Sequence, residues 1–207
     1  MLRILGRANS FNVRKVLWMC DELGLAYERE DWGRGYRPTS DARFLEVNPL
    51  GLVPAVVDDD IVLRESNTIV RYLATKHGRE DLYPQDPVRR AHVEEWMDWA
   101  NYETSISLRG AFLGGTLNEP PWNNPWFVEQ GRRQITKEVS QLDQHLTRSG
   151  RCVVGDAFTI ADIPIGLVVN RWFCLNFERP HYPAVAAYYD RLTERPGYRR
   201  HVRNGLP

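Results

Sequence analysis

The feature that most limits what this chain can fold into is a change of pattern between residues 77 and 87. Before it, short β-rich apolar runs alternate with amphipathic segments, which is the signal of βαβ units. Beyond it, apolar residues recur at helical spacing over long stretches, and strand signals are absent. The connecting stretch, His77-Gly78-Arg79-Glu80-Asp81-Leu82-Tyr83-Pro84-Gln85-Asp86-Pro87, has helix breakers at both ends and charge between them, the composition of a linker. The expected organisation is an α/β domain over residues 1–78, a linker over 79–86 and an all-helical (all-α) domain over 87–207. A chain of 207 residues can bury a core in either domain without metals or disulfides.

In the first domain, residues 2–6 read as a strand and residues 26–31 as a second. Between them Val13, Val16, Leu17, Cys20 and Leu23 make one apolar helix face, with Gly24 placed for a left-handed cap. A polar loop and a short helix around residues 42–47 follow. Two β-rich runs separated by Asp59-Asp60 then read as a hairpin, and Ser66 to Lys76 as a closing helix. The order is β-α-β-α-β-β-α, that of a thioredoxin-like domain. In the second domain, helices are expected over about 87–109, 127–147, from 160 onward, over 183–194 and over 196–201. Asp86 and Pro87 suit the cap and first position of the first of these. Thr159 and Asp162 suit a capping box, and Pro164 should open the first turn that follows it.

Lys plus Arg equals Asp plus Glu, 27 of each, so no basic excess is available for nucleic acid or an anionic membrane. No apolar run approaches a membrane span. Three cysteines, Cys20, Cys152 and Cys174, form no C-x-x-C pair, which suits structural thiols in a reducing cytoplasm. No metal-ligand pattern is apparent.

Chemistry is concentrated in the first domain. The strand-to-helix turn Asn9-Ser10-Phe11-Asn12 offers free amides and the positive end of a helix dipole, where a thiolate or carboxylate is stabilised. Ser10 and Asn12 are also ordinary helix caps, but only one can serve as the cap. Val53-Pro54 opens a strand where a proline is most easily placed in a tight turn, and a cis peptide suits it. Glu65-Ser66-Asn67 brings a carboxylate and a hydroxyl together at a helix start, where Ser66 or Asn67 could equally be a plain cap.

Taken together, Ser10-x-Asn12-x-x-Lys15, Asn48-Pro49-x-Gly51-x-Val53-Pro54, Glu65-Ser66-x-x-Ile69-x-x-Tyr72-Leu73 and Thr159-Ile160-Ala161-Asp162 resemble soluble glutathione transferases in order and spacing. The tail, with Tyr182-Pro183-x-Val185, Arg191-Leu192 and Arg195-Pro196-x-Tyr198, extends the resemblance over nearly the whole chain, which is most similar to serine-containing, theta- or nu-like bacterial forms. The resemblance implies glutathione as co-substrate. Val53, before a cis Pro54, would pair with its cysteinyl backbone, Glu65 would hold its ammonium, and Ser66 the neighbouring carboxylate. Arg37 is the candidate for the glycyl carboxylate.

Members of this family activate the thiol with tyrosine, serine or cysteine near the end of the first strand. No tyrosine or cysteine lies between Leu5 and Asn12, which leaves Ser10, with Asn12 beside it. The Ser-Ser-Cys pattern of the maleylacetoacetate isomerase class is also missing. A second, apolar pocket for an electrophile is expected from Ala8, Asn9, Arg109, Phe112 and Trp172, with Leu108 and Phe173 near them. Conjugation to a hydrophobic electrophile, a detoxification chemistry, is the leading expectation, with a cytoplasmic homodimer as the form. Glutathione-dependent disulfide reduction or peroxidase activity, and a non-catalytic binding module, are the alternatives. The intact set of Ser10, Asn12, Val53-Pro54 and Glu65-Ser66 weighs against the last.

Overall fold

The computed structural model describes residues 1–207. Its first unit comprises Met1–Tyr83 together with Arg195–Leu206, and its second comprises Pro84–Glu194. In the first unit the chain runs β1 (Leu2–Leu5), α1 (Phe11–Leu23), β2 (Tyr27–Glu30), α2 (Ala42–Val47), β3 (Ala55–Asp58), β4 (Ile61–Arg64) and α3 (Ser66–Lys76). The sheet order is β2-β1-β3-β4, with β1 parallel to β2 and β3 antiparallel to both β1 and β4. This is the expected thioredoxin-like order.

The sheet packs because its inward residues are apolar. Ile4, Leu5, Ala55 and Val56 are buried, as are Val13, Val16, Leu17 and Cys20 of α1 and Ile69, Val70 and Leu73 of α3. Gly24 ends α1 at φ 63 and donates its amide to Asp21 O, a conformation that costs a glycine nothing sterically. Asp58, at the end of β3, accepts from Tyr72 Oη at 2.8 Å and Lys76 Nζ at 2.5 Å. That pair of bonds ties the sheet to α3 and sets how the helix leaves the sheet.

The tail belongs with this unit and not with the helices that precede it. Helix α8 (Pro196–His201) lies on α1, with Tyr198 and Trp18 both fully buried and their rings 5.0 Å apart. Arg195 Nε donates to Glu22 Oε1 at 2.8 Å, and Arg200 Nη1 to Asp21 Oδ2 at 2.9 Å. The 87–207 boundary thus groups by sequence what contacts divide at Arg195. Periodicity finds helices but not their partners.

The second unit contains α4 (Pro87–Leu108), α5 (Pro125–Ser149), α6 (Asp162–Phe173) and α7 (Pro183–Leu192). None of the helices is long and apolar enough to cross a membrane. Asp86 caps α4 by accepting from Arg89 N at 2.9 Å, with Pro87 inside the first turn. Beyond Leu108 the helix continues as a π-helical turn, Arg109–Gly114, which the sequence pattern did not signal. Its backbone touches α5: a Cβ on Gly110 would lie 2.1 Å from Phe127 O, so no larger residue fits without displacing a helix.

Helix α6 starts at Asp162, two residues later than Ile160. Pro164 has no amide hydrogen, so Ile160 O accepts from Ile163 N instead, at 3.4 Å, and the entry is a tightened turn. The Asp162 carboxylate is fully buried. It accepts from Val153 N, Thr159 N and Oγ1, and Tyr188 Oη at 2.8 to 3.3 Å. Thr159 Oγ1 accepts from Ala161 N at 3.3 Å, so the return bond of the capping box falls one residue earlier than the sequence pattern predicts.

Two outcomes follow from these carboxylates. Asp162→Ala leaves two buried backbone amides without acceptors, at about 1–3 kcal/mol each, and is expected to destabilise the chain by about 2–6 kcal/mol in urea unfolding. At Asp58 the bond from the Lys76 ammonium, helped by the Tyr72 hydroxyl, outweighs burial and holds the carboxyl below its ordinary range. A depressed folded-state value gives stability that is full above the unfolded value of about 3.9 and is lost as pH falls through the folded one. The urea midpoint is expected to drop from pH 5 towards pH 3, and less steeply in Asp58→Asn.

Candidate functional site

A cavity of about 130 Å³ in the first unit is lined by Asn12 of α1, Asn48, Leu50 and Leu52 to Pro54 of the loop before β3, Arg64 at the end of β4, and Glu65 and Ser66 at the start of α3. Local sequence explains why these segments meet. Asn48 Nδ2 donates to Leu52 O at 2.7 Å and its Oδ1 accepts from Leu50 N at 3.2 Å, while Gly51 N donates to Asn48 O at 3.0 Å. The loop is therefore braced from within by one buried asparagine. The Val53-Pro54 peptide is cis, and Pro54 leads directly into β3.

At the other side of the cavity, Glu65 is the cap residue of α3 but makes no side-chain capping bond. Its backbone is left-handed, φ 66, a conformation that is strained for a residue with a long side chain. Ser66 is the first helical residue, so neither it nor Asn67 is the plain cap that sequence allowed for. Instead Ser66 Oγ donates to Asn12 Oδ1 at 3.3 Å. One step behind this contact, buried Lys15 donates from Nζ to Asn67 Oδ1 at 3.3 Å. The first turns of α1 and α3 thus share one polar wall.

Ser10 is the cap residue of α1, yet its side chain makes no capping bond. It is nearly buried and does not line the 130 Å³ cavity, whereas Asn12 does. Ala8 and Asn9 are exposed in the turn after β1. Arg37 stands apart from the cavity: its guanidinium lies 4.3 Å over the Trp32 ring and 3.5 Å from Glu30 Oε2. Arg64, which no motif singles out, is the arginine on the cavity lining. It closes a strand one residue before Glu65, and that adjacency was the available signal.

The cysteines take no part in this wall. They form no disulfide, and burial pushes the Cys20 thiol up to about 12, so it stays protonated at neutral pH.

The helical unit has its own cavity of about 540 Å³, whose lining includes Ile106, Trp122, Trp126 and Phe127 together with Arg109, Arg133 and Lys137. Arg109 lies 5.3 Å over the Trp122 ring, while Arg133 is paired with Glu129 at 2.6 Å. Beneath Ser107 the buried Glu138 carboxylate accepts from Ser107 Oγ at 2.6 Å and Gln134 Nε2 at 2.9 Å. Burial raises its pKa. Of the residues expected to form the second pocket, Arg109 lies on this cavity. Phe112 is in the core, with Arg171 4.1 Å over its ring. Trp172 is also buried, and with Phe173 it lines a different cavity of about 320 Å³.

Comparison with known proteins finds relatives for both parts of the chain. Residues 5–81 match the glutathione S-transferase N-terminal domain and residues 124–196 the C-terminal domain. Glutathione S-transferase GstB of Escherichia coli K12 is 38% identical over 204 residues, covering 98% of each chain. Glutathione S-transferase 3 of Zea mays is 30% identical, covering 97% of this chain and 93% of its own. The theta-class glutathione S-transferase of Xanthomonas axonopodis pv. citri, solved with glutathione bound, superposes with a TM-score of 0.92 at 35% identity, over 100% of this chain and 99% of the other. With a fold, a braced proline loop and paired helix starts of this kind, the chain belongs to the glutathione S-transferase family.

Proposed function

We propose that the chain conjugates glutathione to an aromatic electrophile and that the 130 Å³ cavity holds the tripeptide. The observation that carries this reading is that Val53-Pro54, Glu65, Ser66 and Asn12 all line one cavity. Val53 offers backbone for pairing with the cysteinyl residue, Glu65 an uncommitted carboxylate for the ammonium, and the start of α3 an anion site for the neighbouring carboxylate. Arg64 replaces Arg37 as the proposed partner of the glycyl carboxylate, since Arg37 is held by Trp32 and Glu30.

A free thiol of pKa about 8.5 is only about 3% ionised at pH 7, and lowering it to about 6.5 makes the thiolate the major form. That shift is about 2.7 kcal/mol. A helix start supplies about 0.3–1 kcal/mol, up to about 2 when partly buried, and one hydrogen bond to the anion supplies the rest. Ser10, whose hydroxyl is not used as a cap, is the proposed donor and Asn12 its auxiliary. The thiolate sulfur then bonds to the electrophilic carbon, the leaving group departs with its electron pair, and the thiol proton has already passed to solvent.

The second reading is reduction of glutathione-containing disulfides, and one observation favours it: Asn12, not Ser10, lines the cavity. Titrating thiolate absorbance of bound glutathione separates the two. Conjugation through Ser10 requires Ser10→Ala to raise the apparent pKa by about one unit or more with binding retained. A larger rise in Asn12→Ala, with none in Ser10→Ala, moves the reductase reading ahead. Cytoplasmic location, detoxification and a homodimeric form remain part of the proposal.

The helical unit's cavity supports a preference among electrophiles. Its apolar lining suits a flat ring, and Arg109 and Lys137 among the lining residues suit an anionic substituent. In steady-state assays Arg109→Ala is expected to raise KM about tenfold for a chloronitrobenzene bearing a carboxylate, but not for glutathione. Equal effects on both substrates would contradict this assignment.

A further inference from the structure

Lysine is almost never fully buried unless something holds its ammonium. Lys15 is 1% exposed, and the mechanism proposed above does not use it. It lies one turn along α1 from Asn12. Its Nζ donates to Asn67 Oδ1 at 3.3 Å and stands 5.2 Å from the centre of the Phe11 ring. Asn67 is the second residue of α3, directly after Ser66, whose hydroxyl bonds Asn12. Lys15 to Asn67 and Ser66 to Asn12 are therefore two parallel ties between the same pair of helix starts. The outer tie is on the cavity wall and partly open to solvent, where water competes for both groups. The inner one is buried, where a charged donor to an amide oxygen is at its strongest.

We propose that Lys15 is a positioning residue for glutathione: its ammonium holds the first turn of α3 against the first turn of α1, and so presets the spacing of Asn12, Glu65 and Ser66 before the ligand arrives. This inference rests on the assignment of the 130 Å³ cavity to glutathione. A preset site binds more tightly because less ordering is left to the binding step. Arginine keeps the charge and can donate to Asn67 through a larger, planar head, whereas methionine fills similar space with neither charge nor donor.

The test measures the glutathione dissociation constant by calorimetry, KM for a chlorinated nitroaromatic, and the urea midpoint, in wild type, Lys15→Met, Lys15→Arg and Asn67→Ala. Lys15→Met and Asn67→Ala should each weaken glutathione binding by about tenfold, as expected for loss of one charged hydrogen bond, with the aromatic KM unchanged. Lys15→Arg should restore most of the affinity. Asn67→Ala keeps the ammonium and serves where Lys15→Met does not fold. A folded Lys15→Met or Asn67→Ala protein with wild-type glutathione affinity and only a lowered urea midpoint would reduce Lys15 to a packing residue. A wild-type protein that bound no glutathione would instead remove the cavity assignment itself.

Discussion

The first three or four amides of any helix lack carbonyl partners within it, and the first unit places two such helix starts side by side. Helices α1 and α3 pack on each other through the apolar residues that cover the sheet. Their N-termini, at Phe11 and Ser66, are thereby held next to each other. Everything polar in the proposed glutathione site depends on that packing. Asn12 and Ser66 bond each other across it, and Lys15 and Asn67 repeat the tie beneath them. The hydrophobic core thus sets the spacing, and the polar residues use it.

The connection between stability and chemistry runs through Asp58 and Glu65. Asp58 fastens the middle and last turns of α3 to the end of β3, which orients the helix whose first turn faces the cavity. Glu65 then makes the bend from β4 into α3 with a left-handed backbone. A glycine would adopt that conformation more easily. Keeping a carboxylate there at a cost of about 1–3 kcal/mol is consistent with a binding role for its side chain.

Much of the fold was legible because local rules and tertiary structure agree. The Asp59-Asp60 hairpin, the Gly24 cap and the Asp86-Pro87 helix start are each set by chemistry within a few residues. The tightened entry to α6 at Pro164 is likewise local. What was not legible depends on long-range contact. The π-helical turn lies where Gly110 lets its own backbone touch α5. The tail joins the first unit because Glu22 and Asp21, some 170 residues away in sequence, receive Arg195 and Arg200. At the candidate site, Val53, Pro54, Glu65, Ser66 and Asn12 stand out by motif and line one cavity. Arg37 is the only arginine the motifs suggest for the glycyl carboxylate, and only the structure shows its stacking on Trp32 and the place of Arg64 on the cavity lining. Phe112 and Trp172 illustrate the same limit, since aromatic residues near a helix end read alike whether they face a pocket or the core.

The central claim is that glutathione binds on the wall shared by the two helix starts. Amide chemical shifts followed by nitrogen-15 NMR during a titration with glutathione test it most directly. Saturable changes are expected to centre on Asn12, Val53, Glu65 and Ser66, with Arg64 among the affected residues and Arg37 unaffected. Changes centred on the helical unit around Trp122 and Phe127, with the amides of Val53 and Ser66 unmoved, would contradict it.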